Sequence, residues 1–311
     1  MREWLGFLPL VLMISISAQV FAIGAACTWR DATYLFRHPA LLWRSIAARN
    51  VVAPIAAVLL IKTFSLQPAV ALTLAVLSMT PVPPLLLRIH LSRGASMEYA
   101  LGLLVSQAVL AVPLVPITLQ FMDWAFHRQA SYGADDVALL VVRSILTPLA
   151  AGMLAARYLP VLGKIVRILL MVGAIVMLAG VIPLLALEWR TILSLAGART
   201  IAAFAIFMVV GTAAGHFLGG PADPNRTTLA LATSSRHSAL AIAVAIANFP
   251  DSRRPVVAAI AIYLVLRAIL NIPYLRWRGP MQLQPEYAGP APGVGAVSGA
   301  ATGMSQGAQR Q

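Results

Sequence analysis

Apolar runs of about 20 residues, each bounded by charged or turn-forming positions, recur nine times along the chain, and about 20 apolar residues make a helix that crosses a bilayer core. They fall at approximately 4–26, 46–64, 68–88, 97–119, 136–158, 165–187, 197–218, 226–248 and 255–275. The predicted fold class is therefore an all-α polytopic membrane protein with nine transmembrane helices. The first run, led by Arg2 and ending at Ala25-Ala26, is longer than a secretory signal core and reads as the first span. Residues 30–45 form a basic, amphipathic connector with Trp43 and Arg44 at the interface. From Gly279 onward Gly, Ala, Pro and Gln dominate, too little apolar bulk to pack, so residues 278–311 read as a disordered tail. Residues 1–277 form the transmembrane domain.

Composition agrees with the pattern. A chain of 311 residues that is 60% hydrophobic and 11% charged, with mean hydropathy +0.84, lies outside the range of soluble domains. The net charge of +13 forms no basic face, which argues against a nucleic-acid partner. Its arginines are scattered through short connections, as topology signals are. Placing the tail inside assigns Arg30, Arg37, Arg44, Arg49, Arg88, Arg93, Arg157, Lys164, Arg167, Arg226, Arg276, Arg278 and Arg310 to the cytoplasm. Outside remain Arg2, Lys62, Arg128, Arg190, Arg199, Arg253 and Arg254, while Arg143, Arg236 and Arg267 fall within spans. The expected orientation in the inner cell membrane has an external amino terminus and a cytoplasmic tail. One cysteine, Cys27, excludes an intramolecular disulfide and a cysteine metal cluster.

Two spans carry interruptions. In the third, Thr80-Pro81-Val82-Pro83-Pro84 removes three backbone donors inside an apolar region. In the eighth, Thr233-Ser234-Ser235-Arg236-His237-Ser238 gathers four hydroxyls, a guanidinium and an imidazole. Irregular backbone at membrane depth survives only when buried in protein or lining a cavity, and paired interruptions point to a transporter's midplane site. Arg236 keeps its charge, and all ten carboxylates lie in loops, at segment ends or in the tail, so the balancing charge is expected from a ligand. Candidate substrate-binding residues are Arg236, Thr80, Pro81, Val82, Pro83, Ser234, Ser235, Ser238 and the mid-depth amide Gln107. Two roles stay open for Arg236: meeting an anion, or fastening carbonyls freed by the breaks. The hydroxyls have the parallel alternative of bonding back to their own helix. His237 reads as neutral and hydrogen-bonding, and Arg143 and Arg267 read as snorkelling to the interfaces. No GxSxG, P-loop, HExxH or metal-spaced cluster occurs in the sequence, so no enzyme, cofactor or metal is expected.

At the two interruptions the chain resembles the bile acid:sodium symporter superfamily, through Met79-Thr80-Pro81-Val82-Pro83-Pro84, Tyr99-Ala100-Leu101-Gly102-Leu103 and the run from Thr233 to Pro250. The resemblance implies inverted repeats, here four plus five helices, at about 1–120 and 136–277. It also implies broken, crossing helices at spans three and eight, and a panel of spans one, five and six against which the rest rocks in alternating access. Registering the shared Ser-x-Leu-Ala on Ser238-Ala239-Leu240-Ala241 puts the family's glutamate and glutamine sodium ligands at Ala232 and Arg236, and Leu86 and Leu87 stand in place of a polar pair. Neither Ala232 nor Arg236 suits sodium. The expected function is a secondary transporter of a small organic anion without obligatory sodium, the guanidinium and half-helix amino termini supplying positive potential. The alternatives are a sodium symporter with relocated ligands and a non-transporting membrane sensor or scaffold.

Overall fold

The computed structural model describes residues 4–83, 97–126, 139, 142–159, 161–238, 240–242 and 253–279. Leu86, Leu87, Asn248, Pro250 and the tail from residue 280 lie outside the described residues. Among those described, all regular structure is helical. The elements are α1 (Trp4–Ala26), α2 (Trp29–Ala32), α3 (Tyr34–Arg37), α4 (Pro39–Phe64), α5 (Pro68–Met79), α6 (Met97–Phe126), α7 (Thr147–Tyr158), α8 (Val161–Leu187), α9 (Trp189–Leu195), α10 (Ala198–Leu218), α11 (Asp223–Ser234) and α12 (Arg253–Arg278). By length and composition α4, α10 and residues Arg254–Arg278 of α12 are long and apolar enough to cross a membrane.

Local chemistry sets the boundaries. Thr28 starts α2 with a capping box: its hydroxyl accepts from Asp31 N at 3.2 Å, and the Asp31 carboxylate accepts from Thr28 N at 2.9 Å. Pro39 and Pro68 open α4 and α5, where a missing N–H costs no helical bond. Part of the expected surface connector is thus the beginning of α4. Within α4, residues Ala47–Val52 form a π turn, and a second π turn, Val142–Leu146, leads into α7. Each is followed two residues later by a proline, Pro54 and Pro148, whose ring crowds the carbonyl four positions back. The widened turn relieves that crowding, and in α4 it lies where Arg49 is buried.

Packing divides the helices into two sets. The first helix, α1, lies along α7 and α8. Gly24 and Gly152 permit this approach, since a Cβ at Gly24 would stand 2.2 Å from Leu149 O and one at Gly152 2.1 Å from Phe21 O. In the other set α10 lies along α11, with α4 and α12 against α10 and α5 packed on α4 and α12. Gly211, Gly215 and Gly219 recur every fourth residue of α10 and its end, a small-residue stripe that brings two backbones together. On α8 the exposed face carries Ile168, Val172, Ile175 and Ile182, as a surface against lipid requires.

Two consequences are measurable. A Cβ at Gly215 would lie 2.5 Å from Ala230 Cα, whereas nothing stands within 4 Å of one at Gly197. Gly215→Val is expected to cost about 1–3 kcal/mol, the range for overpacking, and to lower the thermal midpoint in detergent; Gly197→Ala should leave it in place. Cys27 lies just beyond α1, where burial, reinforced by Asp31, pushes its thiol up to about 12. Maleimide at neutral pH should therefore label it slowly in the folded protein and fully in denaturant.

Candidate functional site

A broken helix releases donors and acceptors that must be met elsewhere at membrane depth. The first break follows from proline. Pro81 disfavours the helical region for the residue before it, and Thr80 is extended at φ −70° and ψ 143°. Pro81, Val82 and Pro83 continue the segment and are buried. Thr80 Oγ1 donates to Leu77 O at 2.9 Å and accepts from His237 N at 3.1 Å, so the two breaks meet at this hydroxyl.

The second break contains no proline, and here side chains from other elements replace the helical bonds. After Ser234 the backbone becomes extended, with Ser235 at φ −103° and ψ 124°. In a continuous helix Arg236 N would donate to Ala232 O. Instead Arg236 N donates to Tyr263 Oη at 2.9 Å, and Ala232 O accepts from an amino group of the Arg49 guanidinium. Tyr263 Oη in turn donates to Ser234 O at 2.9 Å. His237 N, having lost its helical acceptor, takes the Thr80 hydroxyl. Leu240 N donates to His237 Nδ1 at 3.2 Å, which starts the next turn and fixes the imidazole as the neutral tautomer with its proton on Nε2.

Both arginines are wholly interior: Arg49 is 0% exposed and Arg236 1%. They share an acceptor, since Arg49 Nη2 lies 3.2 Å and Arg236 Nη1 3.5 Å from Thr80 O. Arg236 also reaches Ser78 O at 3.4 Å and Arg49 O at 3.4 and 3.5 Å, and its guanidinium lies 5.8 Å from the Phe207 ring centre. These are long contacts to neutral oxygens. Among the described residues the ion pairs of Arg254 with Glu188 and of Arg278 with Asp223 involve neither buried arginine. Among the described residues, buried polar atoms without a hydrogen-bond partner are Arg49 Nε, Arg236 Nε, His237 Nε2, Gln107 Nε2 and Asn50 Oδ1.

Of the residues expected at the site, the structure brings Thr80, Ser234, Ser235 and Arg236 together, all buried, with Pro81 to Pro83 beside them. Ser234 Oγ donates to Leu231 O and to Asn271 Oδ1, each at 3.2 Å, and the Thr233 hydroxyl bonds back to Leu229 O at 2.7 Å. Ser238 Oγ is 3.5 Å from Arg236 O. Gln107 is buried on α6, apart from this set of bonds. Arg143 is exposed and Arg267 half-buried. A cavity of about 340 Å³ opens between α10 and α12, lined by His216, Asn271, Tyr274 and Trp277 among others, and it does not include either buried arginine.

Arg49 corrects the sequence reading. Counted above among the cytoplasmic charges, it is a partner of both breaks. Tyr263 was not singled out at all. A signal existed for each: a phenol in mid-span must find a partner, and Arg49 and Asn50 stand in a polar cluster with Ser45 at the head of an apolar run.

Two helix breaks meeting through buried polar side chains define, as a class, the architecture of a membrane transporter. The chain belongs to the sodium bile acid symporter family, whose model matches residues 11–195, more than half of its length. That match includes the first break and stops before the second. It also makes the chain an integral membrane protein of a transport family, with a small-molecule substrate. Among curated proteins none matches it.

Tyr263→Phe tests the account of the second break. The substitution leaves Arg236 N and Ser234 O unpaired, each worth about 1–3 kcal/mol when orphaned. The expected result is a lowered thermal midpoint; an unchanged one would show that the break is held by other means.

Proposed function

We propose that the protein is a secondary carrier that moves a small organic anion by alternating access, without obligatory sodium. The observation that carries this reading is Arg236, buried at the meeting of the breaks with no carboxylate among the described residues in hydrogen-bond or ion-pair contact. An unpaired cation in a low-dielectric setting recruits an anion. At an effective dielectric of about 20, a carboxylate about 4 Å from a guanidinium gains roughly 4 kcal/mol before desolvation. Neutral groups, the carbonyls and the Phe207 face, hold the Arg236 guanidinium in this conformation, so the fastening role and the anion role belong to successive states of one cycle. The site opens when the bonds to Ser78, Thr80 and Arg49 are exchanged for the substrate.

Several further features belong to this proposal. Nine spans form inverted repeats of four and five helices, with the two broken helices crossing. The packing of α1 against α7 and α8 supports a panel of spans one, five and six. Residues 1–277 are the carrier and 278–311 a cytoplasmic tail, with the amino terminus outside the inner cell membrane. Removing Arg49 from the topology count still leaves the basic excess on the cytoplasmic side. Ala232 offers no side-chain oxygen, while its carbonyl already accepts a guanidinium. This supports a fixed cation where sodium-coupled relatives need a mobile one.

A thermal-shift screen of organic anions, run in sodium and in choline, should find ligands whose effect is equal in the two salts, because a ligand stabilises according to its occupancy. The best of them should then be taken up by proteoliposomes in either salt. Arg236→Ala should abolish both responses, and Arg236→Lys should restore little, since the ammonium lacks the planar fork. Uptake confined to sodium would establish a symporter with relocated ligands. Binding without flux would establish a sensor.

A further inference from the structure

We propose that the substrate is a dianion, balanced by Arg49 and Arg236 together; this rests on the reading of the site as an anion carrier and adds its charge class. Three observations support it. Both guanidiniums are fully buried, and they reach the same oxygen, Thr80 O, so the two charges are neighbours. Each retains one buried N–H without an acceptor, at Nε. His237 Nε2, which carries the imidazole proton, is a further unmet donor, while Asn50 Oδ1 beside Arg49 is an unmet acceptor.

Charge balance then separates the candidates. A neutral ligand leaves two buried cations without a counter-charge, and a monoanion leaves one. Only a ligand with two negative charges, either two carboxylates or one phosphoryl group, neutralises the pair and offers acceptors to the unmet N–H groups of both guanidiniums. Arg49 is thereby a specificity-determining residue. Its partner oxygens come from both breaks, Ala232 O and Thr80 O, so a ligand that draws on its guanidinium also loosens the joint between the two helices.

The test uses matched pairs of probes on the full chain in proteoliposomes: short dicarboxylates and alkyl phosphates, each beside its monomethyl ester, which has almost the same size and one charge. The quantity read is the ratio of dianion to half-ester uptake within one preparation, which does not depend on how much protein folds. The native chain should favour a dianion by about tenfold or more, a difference of about 1.4 kcal/mol. Arg49→Gln, which keeps donors for the two carbonyls, should bring the ratio to about one or reverse it. Arg49→Lys, which keeps the charge, should retain the preference. A half-ester carried as well as its parent, or a ratio unmoved by Arg49→Gln, overturns the charge class and leaves the anion carrier standing. Absence of uptake for every anion in both salts overturns the carrier and the dianion with it.

Discussion

Thr80 O accepts from two guanidiniums, and that shared carbonyl organises the centre of the molecule. Its availability traces back to Pro81, which turns the chain out of the helix at Thr80. The hydroxyl of the same residue takes the amide of His237, so one threonine joins both interruptions through its main chain and its side chain. An interrupted helix at membrane depth is expensive wherever its polar groups go unmet. Here the cost is offset by exchange: Ala232 O, Arg236 N, Ser234 O and His237 N find new partners in Arg49, Tyr263 and Thr80.

That exchange explains why the second break needs no proline. A helix bond between Ala232 and Arg236 competes with two charge- or phenol-assisted bonds, and hydrogen bonds to charged groups are the stronger. Continuity would also bury Tyr263 Oη and the Arg49 amino group without partners. The break is therefore a property of three helices acting on a fourth, and the hydroxyl-rich sequence of residues 233–238 lowers the cost of yielding. In the first break the local chain alone decides. The two interruptions share a function and differ in origin.

This difference determines what the sequence discloses. Proline geometry is local, so the boundary at Thr80 could be read directly, as could the position of the second interruption from four hydroxyls and an arginine in six residues. The apolar runs also foretold α1 and α12 closely, because a lipid-facing helix must be apolar on its outer face as well as its inner one. Arg49 was misassigned for a physical reason. Within a few residues of a span's end, a charge that snorkels and a charge that turns inward have the same sequence neighbourhood, and only the position of Ala232, nearly two hundred residues later, distinguishes them. Tyr263 was hidden likewise, since its partners Ser234 and Arg236 lie on another helix.

Two buried cations sharing one carbonyl also constrain how the protein can move. Two like charges in reach of one carbonyl oxygen repel each other, and for unit charges about 6 Å apart at an effective dielectric of about 20 that repulsion is about 3 kcal/mol. The carbonyls and the Phe207 face oppose it with neutral dipoles and a ring quadrupole. The joint between the breaks is therefore held by attractive contacts that work against a built-in repulsion, the kind of element that has two arrangements separated by a modest free energy. A ligand shifts such an element only through a difference in affinity between its states. In the proposed anion carrier negative charge would provide that difference, because it would remove the repulsion and compete for the same N–H groups that hold the helices together. Coupling between occupancy and opening would then follow from the site's own electrostatics.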